Sequence, residues 1–261
     1  MKVTLLGTGT SHGVPMIACS CAVCRSTDPR DKRTRPSIVV STRGGTILVD
    51  TSPELRLQLV AAAVTHVDAV LITHTHADHL HGLDDLRRFS ETSPSGVPVY
   101  GTPQTLTDIQ GRFPYIFAGS GQVGGGIPNL DLRPITGPFR VCDQTVVPLT
   151  VLHGRLPVLA FRFDRFAYVT DCSYIPPEAL DNLRDLDVLV LDALRRQPHP
   201  THFSLSEAID VAHALRPRRT YFTHLTHDIS HHAINPTLPP GMALGFDGLE
   251  IYVRDGADGI S

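Results

Sequence analysis

The sequence predicts an α+β fold: two mixed β-sheets packed face to face, with helices on the outside. Three observations point there. Ten short β-branched or aliphatic runs recur along the chain, at 2–6, 37–41, 46–49, 68–73, 145–152, 158–163, 166–170, 187–191, 219–223 and 249–253, each of strand length. Five helical patterns, at 54–64, 80–90, 103–111, 177–184 and 204–215, fall between groups of those strands. No linker or internal repeat divides the 261 residues, so a single domain over 1–261 is expected. Elements in that order bury their apolar faces by stacking in layers.

Local signals support two of the helices. Ser204 stands three residues before Glu207, the spacing of a capping box. The Pro176-Pro177 pair suits the first turn of 177–184. Two stretches read as loops that could lie over a cleft: the glycine-rich 117–129, and 229–243 with its three prolines.

With 41% hydrophobic and 19% charged residues the composition is that of a globular protein. A net charge of -3 gives no broad electrostatic grip on nucleic acid or an anionic membrane. No apolar run approaches the roughly 20 residues that span a bilayer. MKVTLLGTG is too soon interrupted by glycine to be a secretory core, so a cytoplasmic location is expected. Three of five cysteines crowd into Cys19, Cys21 and Cys24, which in a cytosolic chain points to metal more than to disulfides.

Six apolar runs stop at a metal-capable residue: TILV at Asp50, VLIT at His74, LTVL at His153, AYVT at Asp171, LVLVL at Asp192 and TYFT at His224. Asp and His also follow strands as ordinary turn formers. Six together, three of them His, instead describe one polar edge of a sandwich, where strands hold side chains firmly while facing solvent.

The run His74-Thr75-His76-Ala77-Asp78-His79 links a strand to a helix pattern. Two residues apart on an extended segment, His74 and His76 face the same side. Asp78 and His79 follow at the turn. One ion cannot easily use all four, whereas two ions about 3.5–4 Å apart can, the arrangement for displacement at phosphorus or carbonyl carbon. His153, Asp171 and His224 are candidates for the missing ligands.

This HxHxDH run, with a later His, Asp and His at strand ends, resembles the metallo-β-lactamase superfamily over essentially the whole chain. The resemblance implies a four-layer αββα sandwich with the site at one edge. It implies one metal on His74, His76 and His153, another on Asp78, His79 and His224, and Asp171 bridging them. Asp78 and Asp171 would count, with His202, among the catalytic residues.

Cys19-x-Cys21-x-x-Cys24 offers three thiolates to a tetrahedral Zn²⁺ that lacks a fourth ligand; several histidines could complete it. A GTG turn, then HGVP, then CxCxxC and the metal run resemble one branch of the superfamily, which includes the phosphodiesterase of the carbon–phosphorus lyase pathway, acting on phosphoribosyl 1,2-cyclic phosphate. That resemblance implies a structural Zn²⁺ on Cys19, Cys21, Cys24 and His227, two active-site ions (Mn²⁺ or Zn²⁺), a small phosphodiester as partner rather than nucleic acid or membrane, and a homodimer.

Cleaving a P–O bond calls for a proton on the departing alkoxide. His202 stands just before the 204–215 helix, where the family resembled carries its acid; His199 is the local competitor. The expected reaction is attack on phosphorus by a hydroxide shared between two ions and assisted by Asp171, with His202 protonating the ribose oxygen. Arg87 and Arg88 could meet a substrate phosphate or lie on a solvated face. Asp50 and Asp192 could orient ligand imidazoles. His12, in a glycine-bordered turn, could reach the site. His66, His213, His231 and His232 receive no role, and Ser173 lacks a base partner.

The rivals separate on sequence features. An RNA 3′-processing endonuclease needs a basic arm to hold tRNA, and the charge balance is acidic. A pyrroloquinoline quinone pathway relative shares the cysteine cluster but departs at the hydrolytic ligands. A glyoxalase II-like thioesterase needs a further helical domain after His224. A zinc-stabilised binding module with a vestigial second site would have lost ligands that are all present here.

Overall fold

A computed structural model describes residues 1–91, 93, 95–117 and 126–254. One sheet contains β1 (Lys2–Gly7), β2 (Ser37–Ser41), β3 (Thr46–Val49), β4 (Ala69–Leu71), β5 (Val97–Gly101) and β6 (Leu130–Pro134). The other contains β7 (Phe139–Val141), β8 (Gln144–His153), β9 (Leu156–Phe163), β10 (Phe166–Val169), β11 (Val188–Asp192), β12 (Arg219–Thr223) and β13 (Met242–Leu244). β14 (Glu250–Tyr252) returns to the first sheet beside β1, giving orders β14-β1-β2-β3-β4-β5-β6 and β13-β12-β11-β10-β9-β8-β7.

Alternation along the strands creates the layers, because successive side chains point to opposite faces. Ile38, Val40, Ile47 and Val49 meet Phe166, Tyr168, Val188 and Val190 in a core between the sheets. Their neighbours Val39 and Leu48 face outward, into a core shared with Leu55, Leu59, Leu80 and Leu106. Those residues come from α1 (Leu55–Ala61), α2 (Ala77–Leu80), which α3 (Arg87–Ser90) follows, and α4 (Pro103–Arg112), which α5 (Pro114–Phe117) follows. On the far side Ala167, Val169, Leu189 and Leu191 pack with Ala179, Leu205, Ala208 and Leu215, of α6 (Pro177–Asp181) and α7 (Leu205–Leu215). Three cores between four layers make this an αββα sandwich. Because both faces of these strands are covered, they read as continuous apolar runs.

Four strands escape the sequence reading. β5 carries Pro98, β6 is interrupted by Asp131 and Arg133, and β7 and β13 have only three residues each. The helix expected over 80–90 is instead α2, a 3₁₀ turn at Leu83–Leu86 and α3. Gly82 explains the break: its backbone lies so close to the Ser52 carbonyl that a β-carbon would collide with it. The helix expected over 54–64 stops at Ala61, and Ala63 takes a left-handed φ of 52°. The loop expected over 229–243 contains α8 (His231–Ile234), a 3₁₀ turn and the start of β13; the Ser230 hydroxyl caps α8 by accepting the Ala233 N–H at 3.4 Å. Residues 118–125 of the glycine-rich stretch lie outside the described residues. Ser204 and Glu207 form the expected capping box. Among the described residues no helix is long and apolar enough to cross a membrane.

A buried ion pair fastens the N-terminal loop to the segment after β12. Arg33 exchanges backbone hydrogen bonds with Val14 at 2.8 and 2.7 Å. Its guanidinium donates to Asp31 at 3.1 Å and to the carbonyls of Thr226 and Ile229 at 2.9 and 2.7 Å. Arg33→Met should cost about 3–5 kcal/mol, because Asp31 keeps its burial and loses its cation. Urea unfolding would measure this, and a loss below about 1 kcal/mol would mean that the pair does not brace the loop.

Candidate metal centre

β3 and β4 run parallel, as do β10, β11 and β12. β8 is antiparallel to β9, which is antiparallel to β10, so β8 shares the direction of β10. The carboxyl ends of these strands therefore deliver Asp50, His74, His153, Asp171, Asp192 and His224 to one edge of the sandwich. Three of the exits use left-handed backbone: Asp50 at φ 62°, Asp171 at 48° and His224 at 61°. Such conformations are uncommon outside glycine, and cluster where the surrounding structure imposes them for function.

Asp171 lies at the middle of the group. Its Oδ1 is 3.0 Å from His79 Nε2 and 3.2 Å from His224 Nε2, while its Oδ2 is 3.7 Å from His74 Nε2 and 3.9 Å from His153 Nε2. Asp78 Oδ2 stands 3.5 Å from both His79 Nε2 and His224 Nε2. The His76 ring lies 4.5 Å from that of His74 and 5.2 Å from that of His153. All seven residues read from the sequence are thus brought together, in two sets that share Asp171.

Hydrogen bonds fix which ring nitrogen faces the centre. His79 Nδ1 donates to Asp50 at 2.7 Å, and His153 Nδ1 donates to the Thr201 carbonyl at 2.7 Å. Thr73 gives its hydroxyl hydrogen to Asp50 at 2.8 Å, so its oxygen receives His74 Nδ1–H at 3.0 Å. Nε2 of His74, His79 and His224 is buried without a hydrogen-bond partner. Buried nitrogens left bare around carboxylates fit a cation, since an unpaired polar group is otherwise costly. Charge says the same. Burial favours the neutral forms, yet Asp171, Asp78 and Asp50 together raise His79 well above the usual imidazole range. Burial likewise opposes the Asp78 and Asp171 carboxylates, but His79 and His224 hold both below the usual carboxylate range. The site is built for positive charge between its carboxylates.

His202 is buried beside this group. Its Nδ1 lies 3.0 Å from Asp192 Oδ2, and its ring stacks on His224 at 4.7 Å and meets His153 edge-on at 4.5 Å. His199 sits farther out, its Nδ1 near the Thr201 hydroxyl at 3.2 Å. Asp50 and Asp192 touch ligand imidazoles, as the sequence suggested, with Asp192 Oδ1 3.8 Å from His224 Nδ1. Arg87 pairs with Asp84, and Arg88 pairs with Glu91 at 2.6 Å on an exposed face. His12 is exposed. The sequence reading missed Thr73, Thr170, whose hydroxyl donates to Asp171 at 2.9 Å, and the Thr201 carbonyl. The repeated Thr before His74, Asp171 and His224 was the available signal.

A second donor cluster lies on the N-terminal loop. Cys19, Cys21 and Cys24 Sγ stand 3.2, 3.4 and 3.6 Å from His227 Nδ1. Tetrahedral zinc with ordinary Zn–S and Zn–N lengths puts sulfur and nitrogen about 3.5 Å apart, so the four donors fit Zn²⁺. The Cys24 N–H donates to Cys21 and brings that thiol down to about 6. Only Leu225 and Thr226 separate His227 from His224, and the Leu225 N–H is held by the Thr8 carbonyl at 2.8 Å.

A family model for the beta-lactamase superfamily domain matches residues 45–225, from just before β3 to the residue after His224. The chain belongs to the metallo-β-lactamase superfamily. Its superfamily relatives differ in length and name. An octanoyltransferase of Porphyromonas gingivalis is 39% identical over 259 residues, covering 98% of this chain and 52% of that protein. Coenzyme PQQ synthesis protein B of Methylorubrum populi is 36% identical over 123 residues, 42% of this chain and 40% of that protein. This metallo-β-lactamase-fold chain therefore spans about half the length of the curated relatives it matches. Among solved structures, a diphosphatase from the PhnP family superposes with a TM-score of 0.90 at 39% identity, over 97% of this chain and 98% of that one. Zn²⁺-bound PqqB from Methylobacterium extorquens shares the fold, with a TM-score of 0.77 at 20% identity over 97% of this chain and 100% of that one.

Proposed function

We propose that this protein is a metal-dependent phosphohydrolase that opens a small cyclic ribose phosphodiester to a phosphate monoester. One observation carries the reading: the two oxygens of Asp171 face two separate sets of imidazoles, with His202 packed beside both. The 39% identity to a PhnP-family diphosphatase supports phosphorus chemistry. Two divalent cations, held by His74, His76 and His153 and by Asp78, His79 and His224 with Asp171 between them, would polarise phosphoryl oxygens and supply activated water at neutral pH.

The protein's own groups then do the following. Asp171 fixes the spacing of the two sets, and Asp78 closes the second. Asp50, Thr73 and the Thr201 carbonyl hold three imidazoles with Nε2 inward. Asp192 holds His202 Nδ1, so Nε2 carries the transferable proton. Water adds across the P–O bond, its oxygen going to phosphorus, and His202 protonates the departing ribose oxygen. The donors suit Zn²⁺ and Mn²⁺ alike. A cytoplasmic location and a small-molecule partner belong to the same proposal.

The diphosphatase relative favours a second reading, in which the scissile bond is a phosphoanhydride. A substrate panel separates the two: a nucleoside 2′,3′-cyclic phosphate, a linear phosphodiester, a sugar diphosphonucleoside and an acyl thioester, each with Mn²⁺ and with Zn²⁺. The thioester is included because the longer relative is called an octanoyltransferase. Turnover of the cyclic ester is expected. Turnover of the diphosphate alone would move the reading to anhydrides, and turnover of the thioester alone would end it. Metal analysis of the loaded protein should give about three ions per chain, two in the centre and one on the Cys₃His cluster.

A further inference from the structure

Arg112 ends α4, and one of its guanidinium nitrogens donates to the Thr75 carbonyl oxygen. Thr75 stands between His74 and His76. One turn back on α4, Asp108 accepts the Thr75 hydroxyl at 3.2 Å and the Gln104 amide at 2.8 Å. The end of α4 therefore grips the residue between two metal-facing imidazoles, and the Arg112 charge is held at the border of the centre.

Two facts give that charge a task. His74, Asp78, His79, Asp171 and His224 are buried, whereas His76 is exposed, so the centre opens to solvent on the side that Arg112 occupies. And among the described residues Arg112 has no carboxylate within ion-pairing distance, although Arg87, Arg88 and Arg133 each have one. A guanidinium carries five donors in a planar fork. Thr75 uses one nitrogen, and the rest of the fork has no partner in the fold.

We propose that Arg112 is a substrate-binding residue that holds a second phosphate group, on the part of the substrate that projects out of the metal centre. The proposal rests on the phosphohydrolase reading. The metal-facing donors hold the phosphate being cleaved, so an exposed cation at their border meets whatever the substrate carries beyond it. Charge-assisted contacts from arginine to phosphate are short and often bidentate.

The experiment compares binding of adenosine 3′,5′-bisphosphate and adenosine 3′-monophosphate to the metal-loaded protein by calorimetry. Turnover of adenosine 2′,3′-cyclic phosphate with and without a 5′-phosphate is measured alongside. Wild type should favour the bisphosphate by about 10- to 100-fold. Arg112→Ala should lose that preference through KM, with metal content, thermal midpoint and turnover of the singly phosphorylated substrate unchanged. Arg112→Lys should keep part of it. Equal binding of both ligands by wild type would overturn the assignment, as would a preference that survives in Arg112→Ala. A loss of metal with equal weakening toward both ligands would make Arg112 a brace for Thr75 instead. If the binding preference depends on Arg112 while no cyclic phosphate is opened, the phosphodiesterase reading fails and the anion site stands.

Discussion

Asp171→Asn should reduce kcat/KM by well over the roughly hundredfold that follows loss of a group that merely orients a metal ligand. The geometry explains the size. Oδ1 and Oδ2 lie near different imidazole sets, at 3.0–3.2 Å and 3.7–3.9 Å, so an amide must turn its NH₂ toward one of them. Donor hydrogens would then occupy the place of a cation. Asparagine tolerates the left-handed backbone that residue 171 requires, so the fold should survive and the defect should be chemical. Metal analysis would show it directly, with active-site ions lost and the Cys₃His zinc kept. A variant that retained all its ions and most of its activity would remove Asp171 from the centre of the account.

The second large effect belongs to His202. Its replacement by alanine should slow substrates that expel an alkoxide by about 10²–10⁴-fold, the usual share of a positioned proton donor. A nitrophenyl ester, whose leaving group needs no proton, should be slowed far less. This split distinguishes proton transfer from structural damage, which matters because His202 packs on both His153 and His224. Equal slowing of both esters would make His202 a packing residue and return attention to His199.

The metal-facing set was legible in the sequence because its signals are local. HTHADH lies within six residues, and every other member ends an apolar run, so the strands announce them. The layered fold was legible for a similar reason, since alternation inside runs such as Ser37–Ser41 assigns each side chain to a core. His227 came through family resemblance, as nothing near it in sequence ties it to Cys19. The weak elements were missed where strand chemistry is absent: Pro98 in β5, charges in β6, three-residue lengths in β7 and β13. Arg112 was invisible because its meaning depends on where α4 docks, a tertiary fact. Arg87 and Arg88, nearer in sequence to the cluster, drew the attention instead, and both proved to be paired with acids. Left-handed backbone at Asp50, Asp171 and His224 was likewise hidden, since neither Asp nor His marks a positive φ as glycine does.

Those three strand exits govern what happens when this centre is copied elsewhere. A designer who grafts the seven side chains onto another sandwich, with strands that leave in the ordinary extended way, would aim Asp171 and His224 in the wrong directions. The transplant must carry the turn of main chain together with the residue it presents. Homologous positions should accordingly accept Asn or Gly before Val or Ile, whose branched side chains resist that conformation.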